Sequence, residues 1–219
     1  GCTVKQFELA GFPASGVEPH FRFREFGVRE LQADIAAGVL DDIPQQPCHD
    51  VIIVHHVLEH LAQPLQALER IRRMLRWGGR AYVEVPNVAA PHAAPGKLFH
   101  YAHIFNFTPA TLRAMAAAAG FAVTHCFTPA SDETIGLLLT PAEQAASCVD
   151  YGDNYRQALT QITRLSPCGY YLRPSYLGQR GVRWAKQGTD RVLAHRRLQA
   201  ILARCQAPAK NVALLARVA

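Results

Sequence analysis

The sequence predicts an α/β fold, a mostly parallel sheet with helices on both faces, and two stretches carry that expectation. The first is Asp50 to His60 (DVIIVHHVLEH), a short apolar run opened by an acid and closed by a cluster of His and Glu. The second is the amphipathic stretch after it, which leads through Arg76-Trp77-Gly78-Gly79-Arg80 into another apolar run, Tyr82-Val83-Glu84-Val85. Together they read as strand, polar cluster, helix and strand, which is a right-handed β-α-β crossover. The polar cluster falls at the carboxyl end of a strand, where parallel sheets gather their ligands.

Taken in order, Pro13 to Pro19 reads as a short strand ending in the acid Glu18, Phe21 to Leu31 as a helix, and Leu31 to Ile35 as a further extended piece. Asp41-Asp42-Ile43-Pro44 and Gln45-Gln46-Pro47 form a loop. Val51 to Val54 shows no polar alternation, as expected of a strand covered on both faces. Pro64 suits the first turn of the next helix, where its missing N–H costs nothing. Leu65, Leu68, Ile71 and Leu75 recur at helical spacing, with Glu69 and Arg73 paired four apart on the wet side. Gly78-Gly79 is expected to end that helix. Residues 88 to 99, rich in Ala, Pro and His, read as a surface loop. Thr108-Pro109 is an N-cap and first-turn pair for a helix that stops at Gly120. Strands are expected at 121–127 and 134–139, and 212–218 competes with 134–139 as the closing antiparallel strand. Residues 141–207 read as mostly helical, with Gly/Pro breaks near 166–181.

Composition bounds the alternatives. At 219 residues and 49% apolar, the chain has ample material for a core, which argues against wholesale disorder. No apolar stretch is long enough to span a bilayer, and no signal-peptide core opens the chain. Six scattered cysteines without a C-x-x-C pair argue against a disulfide framework or zinc knuckle, and fit a reduced, cytoplasmic protein. The net charge of +6 hides a division. Residues 154 onward carry 12 Lys/Arg against the single acid Asp190, and residues 1–153 carry 11 against 16. A core over 1–140, a basic helical segment over 141–209 and a candidate closing strand over 210–219 follow. The basic segment could meet an anionic partner or dock, with solvated Arg side chains, on the acidic core. Without a recognised RNA-binding module, a nucleic-acid partner is not expected, although Arg191, Arg196 and Arg197 near Trp184 are the residues that would supply one.

The order Gly16-Val17-Glu18-Pro19, Asp50-Val51-Ile52-Ile53, Val57-Leu58-Glu59-His60-Leu61, Leu75-Arg76-Trp77-Gly78-Gly79, Glu84-Val85-Pro86-Asn87 and His103 to Pro109 resembles the class I S-adenosylmethionine-dependent methyltransferases. The resemblance covers roughly residues 10 to 127. It is nearest the broad group found beside polysaccharide, lipid and quinone biosynthesis, and it implies a Rossmann-like core. It also implies methyl transfer from S-adenosylmethionine to a small metabolite, glycan or lipid precursor.

Residue by residue, the resemblance makes Glu18 the acid that accepts hydrogen bonds from the two ribose hydroxyls. Asp34 is similar to the acid beside the adenine amino group, with Asp41 competing for that role. His55 and His56 occupy the position beside the methionine moiety and the methyl group. Glu59-His60 matches the family's own Glu-His pair, which orients that loop. His103 stands where some members place a residue facing the acceptor, so His103 and His56 are the catalytic candidates. The family's first strand ends in acid-x-Gly-x-Gly-x-Gly, which packs under the cofactor. Here the chain opens at Gly1-Cys2-Thr3-Val4, with Gly1 alone as a candidate for that contact and no Gly-x-Gly. An N-terminally truncated fragment with weakened cofactor binding is the expectation.

Two rivals follow from the same residues. One is a non-catalytic relic or scaffold that keeps the sheet and binds no cofactor. The other is a zinc peptidase, because His56-Val57-Leu58-Glu59-His60 matches H-x-x-E-H. That site needs one helix holding both histidines on one face, whereas a strand is expected to run up to His55, so no metal is expected.

Overall fold

The computed structural model divides into two units. The structure describes residues 1–90, 99–129, 132–142, 152–163, 171–172 and 174–206. One unit comprises residues 1–43 with those from 179 onward, the other residues 44–178. Residues 210–219, assigned above to a closing strand, lie outside the described residues.

In the first unit, α1 (Cys2–Leu9), β1 (Gly16–Glu18), α2 (Phe21–Arg29) and β2 (Ile35–Ala37) follow one another. β1 and β2 pair in parallel, Gly16 beside Ile35 and Glu18 beside Ala37. Leu31, Ala33, Ile35 and Cys205 form the buried core, with Val4 and Leu202 packed against it. Cys205 and Leu202 come from a long helix, α6 (Pro174–Gln206), the part of which from Gln179 belongs to this unit. Gly1 and Gly27 allow a close approach of α1 and α2. A Cβ on Gly1 would stand 3.0 Å from Gly27 Cα and 2.9 Å from Ile35 Cδ1.

The second unit holds a four-stranded sheet ordered β3-β4-β6-β5, built from β3 (His49–His55), β4 (Leu75–Pro86), β5 (Phe121–Cys126) and β6 (Thr134–Pro141). β3 and β4 are parallel, and β6 is inserted antiparallel to both β4 and β5. Three of the four strands therefore run the same way, giving a mostly parallel sheet flanked by helices. α3 (Pro64–Met74) carries Ala67, Leu68, Ile71 and Met74 on its buried side, with Pro64 in the first turn. α4 (Pro109–Ala118) opens on a reciprocal cap. The Thr108 hydroxyl accepts from the Thr111 N–H while the Thr111 hydroxyl accepts from the Thr108 N–H. α5 spans Asn154–Thr163. Alternation along β4 buries Ala81, Val83 and Val85 on one face and leaves Tyr82, Glu84 and Pro86 half-buried on the other.

Several sequence expectations change. α3 ends at Met74, not at Gly78-Gly79, and Leu75 is already extended. The four residues 76–79 bulge out between the pairs His49/Leu75 and Val51/Arg80. Trp77 is 97% exposed there, and an Arg76–Asp50 ion pair closes the bulge. Gly78 supplies the positive φ of 76°, so the glycines serve the bulge and not the helix stop. β3 is not covered along its length on both faces, since Val51 is 53% exposed. The extended piece read at 31–35 forms its strand at Ile35–Ala37, after Gln32 turns the chain with a φ of 53°. Residues 174–181, read as a break, are helical, with Pro174 tolerated in the first turn. Gly178 and Gly181 cost about 1 kcal/mol each relative to alanine, which a long helix absorbs. The N-terminal helix α1 had no counterpart in the sequence reading.

Candidate functional site

The histidine-rich segment after β3 folds as it does because a parallel strand must end before the chain can cross to the next helix. β3 runs to His55, and its register sets His55 beside Glu84 of β4. His56 then turns the chain with a φ of 52°, a left-handed conformation uncommon for a non-glycine residue, while its N–H donates to the Glu84 carbonyl at 2.9 Å. A single 3-10 turn, Leu58–His60, follows.

Two carboxylates organise the imidazoles. Glu84 Oε1 stands 3.3 Å from His55 Nε2 and 3.6 Å from His56 Nε2. Glu59 Oε1 stands 3.3 Å from His56 Nδ1 and 3.8 Å from His60 Nε2. Each ring nitrogen of His56 therefore faces a carboxylate. The Tyr82 hydroxyl donates to Glu84 Oε2. Burial, the hydrogen bond to Glu84 and the charge of Glu84 together push the Tyr82 pKa up to about 12.

The segment holding His103 is fastened to this turn by backbone. The Glu59 carbonyl accepts from the Ile104 N–H at 2.9 Å and the Phe105 N–H at 3.1 Å. His60 Nδ1 lies 2.8 Å from the Ala102 carbonyl oxygen, so that nitrogen carries the proton. The His60 and His103 rings sit edge to face at 4.9 Å, and His100 flanks His103 at 5.0 Å. Burial lowers the His103 pKa below the usual histidine range. The Glu59 carboxylate opposes that shift, and His60, His100 and His56 reinforce it. Glu59 itself is 1% exposed, and its Oε2 has no hydrogen-bond partner among the described residues.

The structure thus brings together His55, His56 and His103 of the sequence candidates, through Glu59, Glu84 and His60. Of these three, sequence reasoning named only Glu59 and His60, as a loop-orienting pair. Glu84 and Tyr82 were missed, although an acid within an otherwise apolar strand end was the available signal. H-x-x-E-H does not sit on one helix, since His56 belongs to the left-handed turn and only 58–60 are helical. That removes the basis of the peptidase reading.

The remaining candidates lie in the first unit. Glu18 ends β1, half-buried, and its Oε1 accepts from the His20 N–H at 2.9 Å, fixing the carboxylate at the strand tip. Asp34 stands immediately before β2, not near its carboxyl end, because the strand starts only at Ile35. Its N–H donates to Glu8 Oε1 at 3.1 Å. Asp41 lies past the strand in a 3-10 turn, Leu40–Asp42. Gly1 caps α1.

The sequence model of a family described as "Methyltransferase domain" matches residues 3–126, more than half of the chain. A comparison with curated proteins yields no match. Among solved structures, the CcbJ methyltransferase from Streptomyces caelestis is similar at 17% identity and a TM-score of 0.52, over 62% of this chain and 78% of that one. A SAM-dependent methyltransferase from Thermotoga maritima matches at 19% identity and a TM-score of 0.49, over 63% of this chain and 77% of that one. The first of these likenesses shows a shared fold. The chain belongs to the methyltransferase-domain family, the class I enzymes whose methyl donor is S-adenosylmethionine.

Proposed function

We propose that the chain transfers the methyl group of S-adenosylmethionine to a nucleophilic atom of a small metabolite, glycan or lipid precursor. The observation that carries this reading is the set of imidazoles held by Glu59 and Glu84 at the carboxyl end of β3. The sulfonium of the donor makes its methyl group electrophilic, so the protein mainly supplies alignment and, where the acceptor needs it, a base.

Glu18 fits the donor's ribose: a carboxylate fixed at the tip of a parallel strand retains lone pairs for two hydroxyls after accepting from His20. Asp41, past the carboxyl end of β2, takes precedence over Asp34, which precedes that strand, as the contact for the adenine amino group. His55 and His56 orient the donor's amino-acid end and methyl group, and Gly1 offers backbone at the start of α1. His103 takes the acceptor's proton, and its lowered pKa leaves the imidazole unprotonated near neutral pH, with a lone pair to accept it. His56 orients the turn after β3 and stands second to His103 for the proton, because both of its ring nitrogens already face a carboxylate.

The reading is tested by S-adenosylhomocysteine release with a panel of small hydroxyl and amine acceptors. Turnover that His103→Ala lowers by about 100-fold, the usual scale for a lost general base, supports it. Turnover unchanged in both His103→Ala and His56→Ala removes them from the chemistry. A non-catalytic scaffold is the outcome if no acceptor is methylated and no donor binds.

A further inference from the structure

We propose that the side chains of Glu59, His60 and His103 form a binding site for a divalent transition-metal cation, with zinc the favoured ion. This goes beyond methyl transfer and revises the sequence expectation of no metal. Their ligand atoms, two imidazole nitrogens and a carboxylate oxygen, all lie within 4.8 Å of one another. A tetrahedral zinc site places such atoms about 3.4 Å apart at ordinary bond lengths. Glu59 Oε1, which also meets His56 Nδ1 at 3.3 Å, lies 3.8 Å from His60 Nε2, already close to that spacing, and Oε2 is the oxygen left for the ion. Modest rotation of the half-buried His103 ring brings in the third donor.

Three independent features separate this group from a chance meeting of polar residues. The Glu59 carboxylate is almost wholly buried, yet Oε2 has no hydrogen-bond partner among the described residues, a costly arrangement for a carboxylate unless something cationic meets it. His60 is set in the ligating tautomer. A carbonyl can only accept, so the Ala102 contact places the proton on Nδ1 and leaves the lone pair of Nε2 facing Glu59. The donors also come from two segments that the backbone bonds of Ile104 and Phe105 to Glu59 already clamp together, so little ordering entropy remains to be lost.

The neighbouring group, His55, His56 and Glu84, has comparable spacing. There, however, Glu84 already accepts from Tyr82 on one oxygen and meets both imidazoles with the other. Two imidazoles and one carboxylate suit zinc above magnesium or calcium, which prefer all-oxygen shells, and the set leaves a fourth position open. A bound cation occupies the His103 lone pair that methyl transfer assigns to the acceptor's proton. The two roles therefore belong to different states of the site.

The test is a calorimetric titration of the metal-free full chain with zinc chloride, with cobalt(II) as a spectroscopic probe and magnesium as a contrast. One zinc per chain is expected, with a visible cobalt band of tetrahedral intensity and no comparable magnesium uptake. His103→Ala and Glu59→Gln should each weaken zinc binding more than about tenfold, the lower end of what even an outer partner contributes. His195→Ala, on α6, should leave it unchanged. Circular dichroism confirms that each variant folds, and His103→Ala, in a loop, serves if Glu59→Gln does not. Absence of stoichiometric zinc, affinity unchanged in His103→Ala, or loss confined to His55→Ala overturns the site. None of those results bears on methyl transfer, which is read by S-adenosylhomocysteine release.

Discussion

Glu84 lies directly beside His55 in the parallel register of β3 and β4, and its Oε1 is shared between His55 Nε2 at 3.3 Å and His56 Nε2 at 3.6 Å. One carboxylate thus steadies two consecutive imidazoles, one still in the strand and one in the left-handed turn after it. Its other oxygen is held by Tyr82 from two residues along the same strand face. Glu84→Ala should therefore loosen both rings and lower methyl transfer by at least about tenfold. Part-exposed pairs contribute only about 0–1 kcal/mol, so the denaturant midpoint should hardly move. Parallel activity and urea-unfolding measurements check this.

Tyr82 carries a pH dependence of definite sign. Its folded-state pKa is about 12, against 10.0 for the ordinary phenol. Between those values the folded chain binds more protons than the unfolded one, so stability falls as pH rises. The contribution is fully present below 10 and is lost on passing through the folded value. Urea midpoints at about pH 9 and about pH 11 should differ in the wild type, and the Tyr82 part of that slope should vanish in Tyr82→Phe.

Gly136 sits opposite Glu84 on β6 and leaves the room that the Tyr82 hydroxyl occupies. A Cβ there would stand 2.8 Å from that oxygen. Gly136→Ala should push Tyr82 off Glu84, cost about 1–3 kcal/mol as an overpacked core does, and return the phenol toward its ordinary pKa. Ultraviolet titration of the phenolate reads the last effect.

Thr108 satisfies the open end of α4 through its reciprocal bonds with Thr111, and it is 5% exposed. Thr108→Ala should cost about 1 kcal/mol, read as a lowered urea midpoint. Thr108→Asn, which can still cap, should restore most of it.

The strand–turn–helix–strand unit was legible because its signals are local: an apolar run, a proline in a first turn, a helical repeat and a strand resuming before Pro86-Asn87. Thr108-Pro109 and Gly120 bounded α4 for the same reason. The four residues 76–79 misled because two glycines suit a bulge as well as a helix stop, and only pairing with β3 decides between them. The exposure of Val51 was invisible because apolar continuity does not report whether another element packs on each face of the strand. At the site, the imidazoles stood out in the sequence. Their organiser Glu84 did not, since its role depends on strand register across a gap of nearly thirty residues.

Titrating the chain with S-adenosylhomocysteine tests most directly whether the acid-ended strand β1 serves the methyl donor. Two hydrogen bonds to one carboxylate are worth at least about 1.4 kcal/mol, so Glu18→Ala should weaken binding tenfold or more. Saturable binding by the wild type, reduced to that extent in the variant, is the expected result. Equal affinity in the two proteins, or no binding by the wild type, would contradict it.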